Sequence, residues 1–186
     1  MLRTLLLVVL GLAVVAAGVV AYASTRPDTF RVSRSIAISA PPEAIFPLIN
    51  DLRKMSAWSP FEKKDPNIKQ TFSGPESGKG QRHDWDGNHD VGKGWLAIAD
   101  SVQPSRVDID LNMERPISAK NAVTFTLAPE GDATKVTWTM QGSVPLIAKV
   151  MHLFFDVDRM VGGDFEKGLA DLKTMAEGAS GAEPRT

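Results

Sequence analysis

The sequence contains no cysteine among its 186 residues, and this absence removes several kinds of chemistry. Disulfide bonds, thiolate nucleophiles and cysteine-ligated metals all need that sulfur. No serine stands in a Gly-x-Ser-x-Gly motif either, so nucleophilic catalysis by serine or cysteine has no support. The lack of cysteine is compatible with a reducing compartment and with delivery across a membrane.

Two further absences limit the partners. The chain has 21 basic and 22 acidic residues and a formal net charge of −1, and the basic residues are dispersed rather than clustered. No basic patch favours nucleic acid. The glycines of segment 74–80 lack the spacing of a phosphate-binding loop and indicate a turn. We therefore expect no nucleic-acid partner and no cofactor.

Histidine is scarce, with three in the whole chain. The densest polar group is segment 82–90, whose composition invites a metal-site interpretation. On a strand, however, His83 and Asp84 point to opposite faces, and His89 falls in a Gly-Asn turn, so the ligands diverge. A solvated hairpin end is the favoured interpretation, and no metal is expected.

What the chain does contain is a charge-free apolar run from Leu5 to Ala23. As a helix this run is roughly 28 Å long, enough to cross a bilayer once. With Arg3 before it and Ala21-Tyr22-Ala23 at its end, it also resembles an export signal. We favour a retained anchor because signal cores are usually about 7 to 15 residues long. A buried core helix is disfavoured because the run has no polar face.

The orientation of this anchor is ambiguous. Arg26, Arg31 and Arg34 follow the run and only Arg3 precedes it, which by the positive-inside rule places the rest of the chain in the cytoplasm. The export-like N-terminus and the absence of cysteine favour the opposite side. We favour a single-pass protein of the cytoplasmic membrane with an extracytoplasmic domain; a periplasmic or secreted protein cleaved near Ala23 is the alternative.

The rest of the chain has the length of one domain. We divide the sequence into an anchor or signal segment at 1–24, a folded domain at 25–177 and a disordered tail at 178–186, because the residues from Gly178 onward are small and polar.

Alternation of apolar and polar residues predicts a strand from Phe30 to Ile38. Segment 39–43, with two prolines and Glu43, is typical of a helix entry, and a short helix to Asn50 is expected to follow. Six more strands, separated by turn residues, are predicted at 69–73, 81–86, 94–102, 106–114, 121–128 and 134–142. From about Val150 the apolar spacing becomes helical and includes Phe154. The expected fold class is α+β, with an antiparallel sheet of about seven strands wrapped on a long C-terminal helix.

Two features interrupt these patterns. Gly162, Gly163 and Gly168 lie inside the predicted helix at a cost of about 1 kcal/mol each. Close packing or a kink is favoured over a seam that admits a ligand. Arg34 stands on the apolar side of its strand, where we expect a structural ion pair.

The order of elements resembles the helix-grip fold of the START and birch-pollen-allergen superfamily, called SRPBCC. Stretches that resemble its bacterial polyketide cyclase/dehydrase and lipid-transport branch are 34–43, 58–60, 87–88 with 91–94, 136–140 and 161–169. The likeness covers about residues 30 to 177. It implies a cavity between the sheet and the long helix that holds hydrophobic molecules, and it carries no shared catalytic motif.

The residues expected to line this cavity are His83, Trp85, Ile98, Ile109, Phe125, Trp138, Met140, Val161 and Phe165. The same residues would serve equally well as a filled core, and both interpretations stay open. His83 shares the face of Trp85, where an imidazole either packs with one hydrogen bond, the favoured interpretation, or contacts a ligand.

The sequence thus predicts a membrane-tethered or exported domain that binds a lipid or another hydrophobic small molecule. One alternative is a cyclase- or dehydratase-like enzyme in which His83 or Arg34 moves a proton. Another is a cell-envelope interaction module with a filled core. The oligomeric state is left open.

Overall fold

A computed structural model describes residues 1–153 and 156–180 of the protein. The helices are α1 (Leu2–Ser24), α2 (Pro42–Ile49), α3 (Leu52–Trp58), α4 (Leu146–His152) and α5 (Val157–Ser180), with a 3₁₀ turn at Glu62–Lys64. The strands are β1 (Thr29–Ile38), β2 (Lys69–Ser73), β3 (Arg82–Asp86), β4 (Lys93–Val102), β5 (Arg106–Arg115), β6 (Ala119–Glu130) and β7 (Ala133–Ser143).

The seven strands form one sheet in the order β1-β7-β6-β5-β4-β3-β2, and every neighbouring pair is antiparallel. Alternation sends one set of side chains to an inner face, where the helices pack, and the other set to solvent. On the outer face Asp108 pairs with Arg106 at 2.8 Å and accepts a hydrogen bond from Thr124. The predicted α+β helix-grip class is confirmed.

The sheet has two ends with different neighbours. The end at which β1 begins and β7 finishes is adjacent to α1, and we call it the proximal end; the opposite end is the distal end. Asp158 in the first turn of α5 pairs with Arg34 in mid-strand, and Glu177 near its end accepts a hydrogen bond from Ser39 N–H. Helix α5 therefore extends from the middle of the inner face towards the distal end.

The single C-terminal helix predicted from about Val150 is two helices. Helix α4 lies beside α1, and α5 begins at Val157 because the Asp156 carboxylate accepts a hydrogen bond from Arg159 N–H at 2.9 Å and caps a new first turn. Phe154 lies outside the described residues. Helix α5 continues to Ser180, three residues into the segment predicted as tail, and residues 181–186 lie outside the description.

The glycines of α5 explain how the helix approaches the sheet. A Cβ at Gly162 would lie 2.0 Å from Arg34 Nη2, and one at Gly168 would lie 2.9 Å from the rings of Pro60 and Trp138. Close packing is therefore the reason for two of the three glycines. Gly163 has nothing within 4 Å of that position, and no contact explains it.

Helix α1 projects from the domain. Its side chains are exposed along almost the whole length, and Ala23 is buried. By length and composition α1 can cross a membrane, and a signal sequence has the same properties.

Candidate functional site

The distal half of the inner face is a packed core. Trp138 stacks on Phe165 with ring centroids 4.0 Å apart, and Trp58 meets Phe125 and Trp138 edge-on at 5.9 and 5.7 Å. The indole N–H of Trp58 donates to Leu48 O at 2.9 Å. Phe125 lies 5.0 Å from Trp138, centroid to centroid. Three residues predicted to line a cavity, Phe125, Trp138 and Phe165, are thus packed here, and Trp58 of α3 fills the space beside them.

Arg34 marks the boundary of this half. It lies opposite Trp138 in the sheet and its guanidinium is 2.8 Å from carboxylate oxygens of both Asp158 and Glu166. Its hydrogen bonds to these two carboxylates raise its own pKa and lower that of Asp158. The expected structural ion pair is confirmed, and it fixes the start of α5 over the sheet.

The proximal half of the inner face lies beyond the first turn of α5 and is less covered. Residues directly opposite one another in successive strands form a row across the whole sheet, which we call the cross-sheet row. From β2 to β1 its members are Phe72, His83, Leu96, Leu111, Asn121, Gly142 and Phe30. Its large apolar side chains are half-buried, so this half presents apolar surface that the protein itself does not fully cover.

Next to this row is a fully buried row made of Ile98, Ile109, Val123, Met140 and Val32. It contains three of the predicted residues and forms an apolar base. Towards the proximal end, Trp85 is half-buried and lies over Gly94, where a Cβ would be 2.9 Å from its ring. Val161, also half-buried, belongs to the start of α5. The remaining predicted residues therefore lie on or around the proximal half.

Three buried polar atoms on this apolar face have no hydrogen-bond partner among the described residues: His83 Nε2, Asn121 Oδ1 and Trp138 Nε1. A buried polar atom without a partner costs about 1 to 3 kcal/mol, and most such atoms in proteins are paired. Small-molecule sites combine an apolar lining with a few polar groups of this kind, which orient the ligand.

The His83 ring is held by aromatic contacts. It stacks on Phe72 with centroids 4.4 Å apart and planes 9° apart, and tilts against Trp85 at 5.9 Å. Burial lowers the pKa of His83 to about 4, against the weaker opposing effect of Asp84. Asp84 itself pairs with Arg82. The imidazole is therefore neutral near pH 7. Its Nε2 can accept a hydrogen bond from a ligand hydroxyl group or, when it carries the proton, donate one to a ligand carbonyl oxygen.

Asn121, which sequence reasoning did not select, is positioned by a glycine. A Cβ at Gly142 would lie 2.0 Å from Asn121 Oδ1 and 2.9 Å from the Phe30 ring, so only glycine leaves space for both side chains. Asn121 shares strand parity with Val123 and Phe125, and that parity could have placed it on the inner face. Trp58 belongs to the stretch 58–60 that resembles the family, but its packing partners could not be predicted, because α3 contacts the sheet only through the tertiary fold.

The polar segment 82–90 does not converge on a centre. His83 is 3% exposed on the inner face, whereas the His89 side chain is 94% exposed. The turn is held instead by Asp65, whose carboxylate accepts hydrogen bonds from Asn88 N–H and Asn67 N–H. Within the described part of the chain, no three His, Asp or Glu residues are grouped as metal ligands.

The seven-stranded sheet, the long helix laid across half of it and the apolar inner face define a helix-grip domain. The chain belongs to the polyketide cyclase / dehydrase and lipid transport family, whose sequence profile matches residues 29–177. No curated protein matches the sequence.

Solved structures share the fold at low sequence identity. Protein TTHA0849 from Thermus thermophilus is 19% identical with a TM-score of 0.57, covering 81% of this chain and 99% of its own. Protein CV1439 from Chromobacterium violaceum is 16% identical with a TM-score of 0.56, covering 82% and 99%. Ara h 8.0201 is 13% identical with a TM-score of 0.54, covering 81% and 99%. These likenesses show the fold alone.

Proposed function

We propose that this protein is a membrane-tethered domain that binds a lipid or another hydrophobic small molecule on the proximal half of its inner face. The observation that carries the proposal is the presence of unpartnered polar atoms on His83 and Asn121, in the same row as the half-buried side chains of Leu96 and Leu111. A packed core would normally pair these atoms or replace them.

The cross-sheet row indicates the shape of the ligand. His83 on β3 and Asn121 on β6 are separated by three strand spacings, or roughly 14 Å. Leu96 and Leu111 lie between them in the same row. A ligand with an apolar body and a polar group at one or both ends matches this arrangement. Each Å² of apolar surface that it covers contributes about 25 cal/mol.

We further propose that α1 is retained as an anchor and that the domain is extracytoplasmic. Four residues, 25–28, separate α1 from β1, so an anchored α1 holds the proximal end within roughly 14 Å of the bilayer. Lipid is then the most concentrated hydrophobic ligand near the site. A cleaved α1 would instead release a diffusible carrier.

The binding proposal is tested by native mass spectrometry of the full chain purified from membranes. We expect a bound hydrophobic molecule in the wild type, lost in Leu111→Trp because the indole fills the ligand position. Asp110→Trp, on the solvent face of the same strand, is the matched control and should retain the molecule. Equal retention in both variants, or no bound molecule in the wild type before delipidation, would contradict the proposal.

The orientation is tested by cysteine labelling. Because the chain has no cysteine of its own, an introduced cysteine is the single thiol that a maleimide can modify. Ser77 is exposed in the loop between β2 and β3. We expect Ser77→Cys to react with a membrane-impermeant maleimide in spheroplasts without lysis. Labelling that appears only after lysis would place the domain in the cytoplasm.

The enzymatic alternative has less support from the geometry. Arg34 is committed to two carboxylates. In the described part of the chain no carboxylate hydrogen-bonds the His83 ring, and its depressed pKa makes it a weak base at neutral pH. These properties suit a residue that orients a ligand better than one that moves a proton.

A further inference from the structure

A cavity lies at the proximal end of the domain, between the end of α1 and helix α4. Its volume is about 630 Å³, and its walls include Val19, Tyr22, Arg26, Phe30 and Lys149. We propose that this cavity binds one anionic phospholipid of the bilayer, with its phosphate at Arg26 and Lys149 and an acyl chain beside Val19. The inference rests on the proposed retention of α1.

The depth of the cavity matches a phospholipid standing beside the anchor. Val19 and Arg26 are separated by roughly 10 Å along the direction of the α1 axis. This distance is enough to pass from the edge of the hydrocarbon layer into the headgroup layer. Tyr22 lies between them, at the level where aromatic side chains collect in membrane proteins. The apolar end of the cavity thus faces acyl chains and its cationic end faces phosphates.

Helix α4 supports this placement in the membrane interface. It packs beside α1, and three of its apolar side chains are exposed: Leu146 at 46%, Ile147 at 68% and Met151 at 39%. Exposed apolar side chains on a short helix next to a membrane anchor are favourably covered by lipid. The cavity between the two helices therefore opens where lipid is present.

The charges select an anionic headgroup. The Arg26 guanidinium lies 4.8 Å from the Tyr22 ring centroid and donates to its hydroxyl oxygen, and no carboxylate of the described residues forms an ion pair with it. Lys149 Nζ is 2.5 Å from Asp28 Oδ1, and its side chain is 7% exposed. Arg26, Lys149 and Asp28 together carry one net positive charge. A phosphodiester monoanion neutralises it, whereas a phosphocholine headgroup also brings a cation.

Phe30 connects the cavity to the proposed ligand site. It is a wall of the cavity and also the β1 member of the cross-sheet row, opposite Gly142. A lipid held between α1 and α4 is thus separated from the inner face by one side chain. The cavity is therefore adjacent to the proposed ligand site.

The test uses the full chain in nanodiscs that contain equal amounts of phosphatidylglycerol and phosphatidylcholine, followed by native mass spectrometry of the lipid that is retained. We expect the wild type to retain phosphatidylglycerol about fivefold over phosphatidylcholine, the factor for one interfacial cation. Arg26→Gln should lose this preference. Arg31→Gln removes the same charge from an exposed position outside the cavity and should keep it. Equal effects of the two variants would overturn the proposal.

Two further measurements test whether the lipid occupies this cavity and whether free phosphate competes for the same cations. Val19→Trp should reduce lipid retention by filling the cavity, whereas Val20→Trp, on the exposed side of α1, should not; equal behaviour would show that the cavity is not the site. Displacement of the lipid by millimolar inorganic phosphate would assign the cations to free phosphate and overturn the lipid assignment. An intact-mass measurement shows whether α1 is present, so failure of the tether is distinguishable from failure of the cavity.

Discussion

The two halves of the inner face follow the same strand alternation and differ in what covers them. In the distal half, α5 closes over the sheet, and Trp58, Trp138 and Phe165 fill the space between them. In the proximal half, α5 has not yet begun, the large apolar side chains of the cross-sheet row are half-buried, and His83 and Asn121 hold unpartnered polar atoms. One sheet thus provides both a core and a candidate binding surface, and the starting point of a single helix separates them.

The largest expected effect removes the distal packing. Trp58→Ala should lower the free energy of unfolding by about 3 to 5 kcal/mol, because it deletes a fully buried indole between two aromatic rings. Trp95→Ala, on the outer face opposite Asp84, is the matched control and should cost much less. Denaturant unfolding of the full chain in detergent, followed by near-ultraviolet circular dichroism, measures both. Similar losses would show that the distal half is not the stabilising core.

The second effect concerns pH and belongs to the proximal half. The unfolded imidazole titrates near 6.5 and the pKa of folded His83 is about 4, so between these values the unfolded chain binds the extra proton. The free energy of unfolding should therefore fall as pH drops from 6.5 towards 4, by a total of about 3 kcal/mol. His83→Phe should remove this part of the pH dependence. An unchanged slope in that variant would mean that other groups cause it.

A glycine pair tests the close approach of α5 to the distal half. Gly168→Ala should destabilise the protein by about 1 to 3 kcal/mol, because its new methyl group would meet the rigid rings of Pro60 and Trp138. Gly163→Ala enters open space in the same helix and should stabilise it by up to about 1 kcal/mol. Thermal unfolding of the two variants should shift in opposite directions; shifts of the same sign would refute the packing explanation.

The smallest effect separates stability from binding in the proximal half. Asn121→Leu removes an unpartnered polar atom and should stabilise the ligand-free protein by about 1 kcal/mol while reducing ligand retention. Thr124→Val on the same strand removes a hydrogen bond to Asp108 and should destabilise by a similar amount without affecting retention. If Asn121→Leu retains the ligand fully, Asn121 has no part in binding.

Much of this architecture was predictable because it depends on local periodicity. The alternation around Ile109 and Phe125 predicted that both side chains lie on the inner face. Arg34, a charged residue on the apolar side of its strand, predicted an ion pair that the structure contains. The break before α5 was missed although Asp156 is a recognisable cap, because the apolar spacing appeared to continue across it. Trp58 was missed for a different reason, since nothing near it in sequence shows which face it will meet.

The sequence by itself determined the apolar N-terminal helix, the seven strands, the amphipathic C-terminal helix and therefore the family fold, because these follow from residue spacing over short distances. Only the tertiary structure decided where α5 begins over the sheet, and hence that Phe125 and Trp138 are packed while Leu96 and Leu111 are half-buried. It alone brought α4 against α1 and opened a cavity at Arg26. Burial depends on contacts between segments far apart in the chain, and local spacing does not specify those contacts.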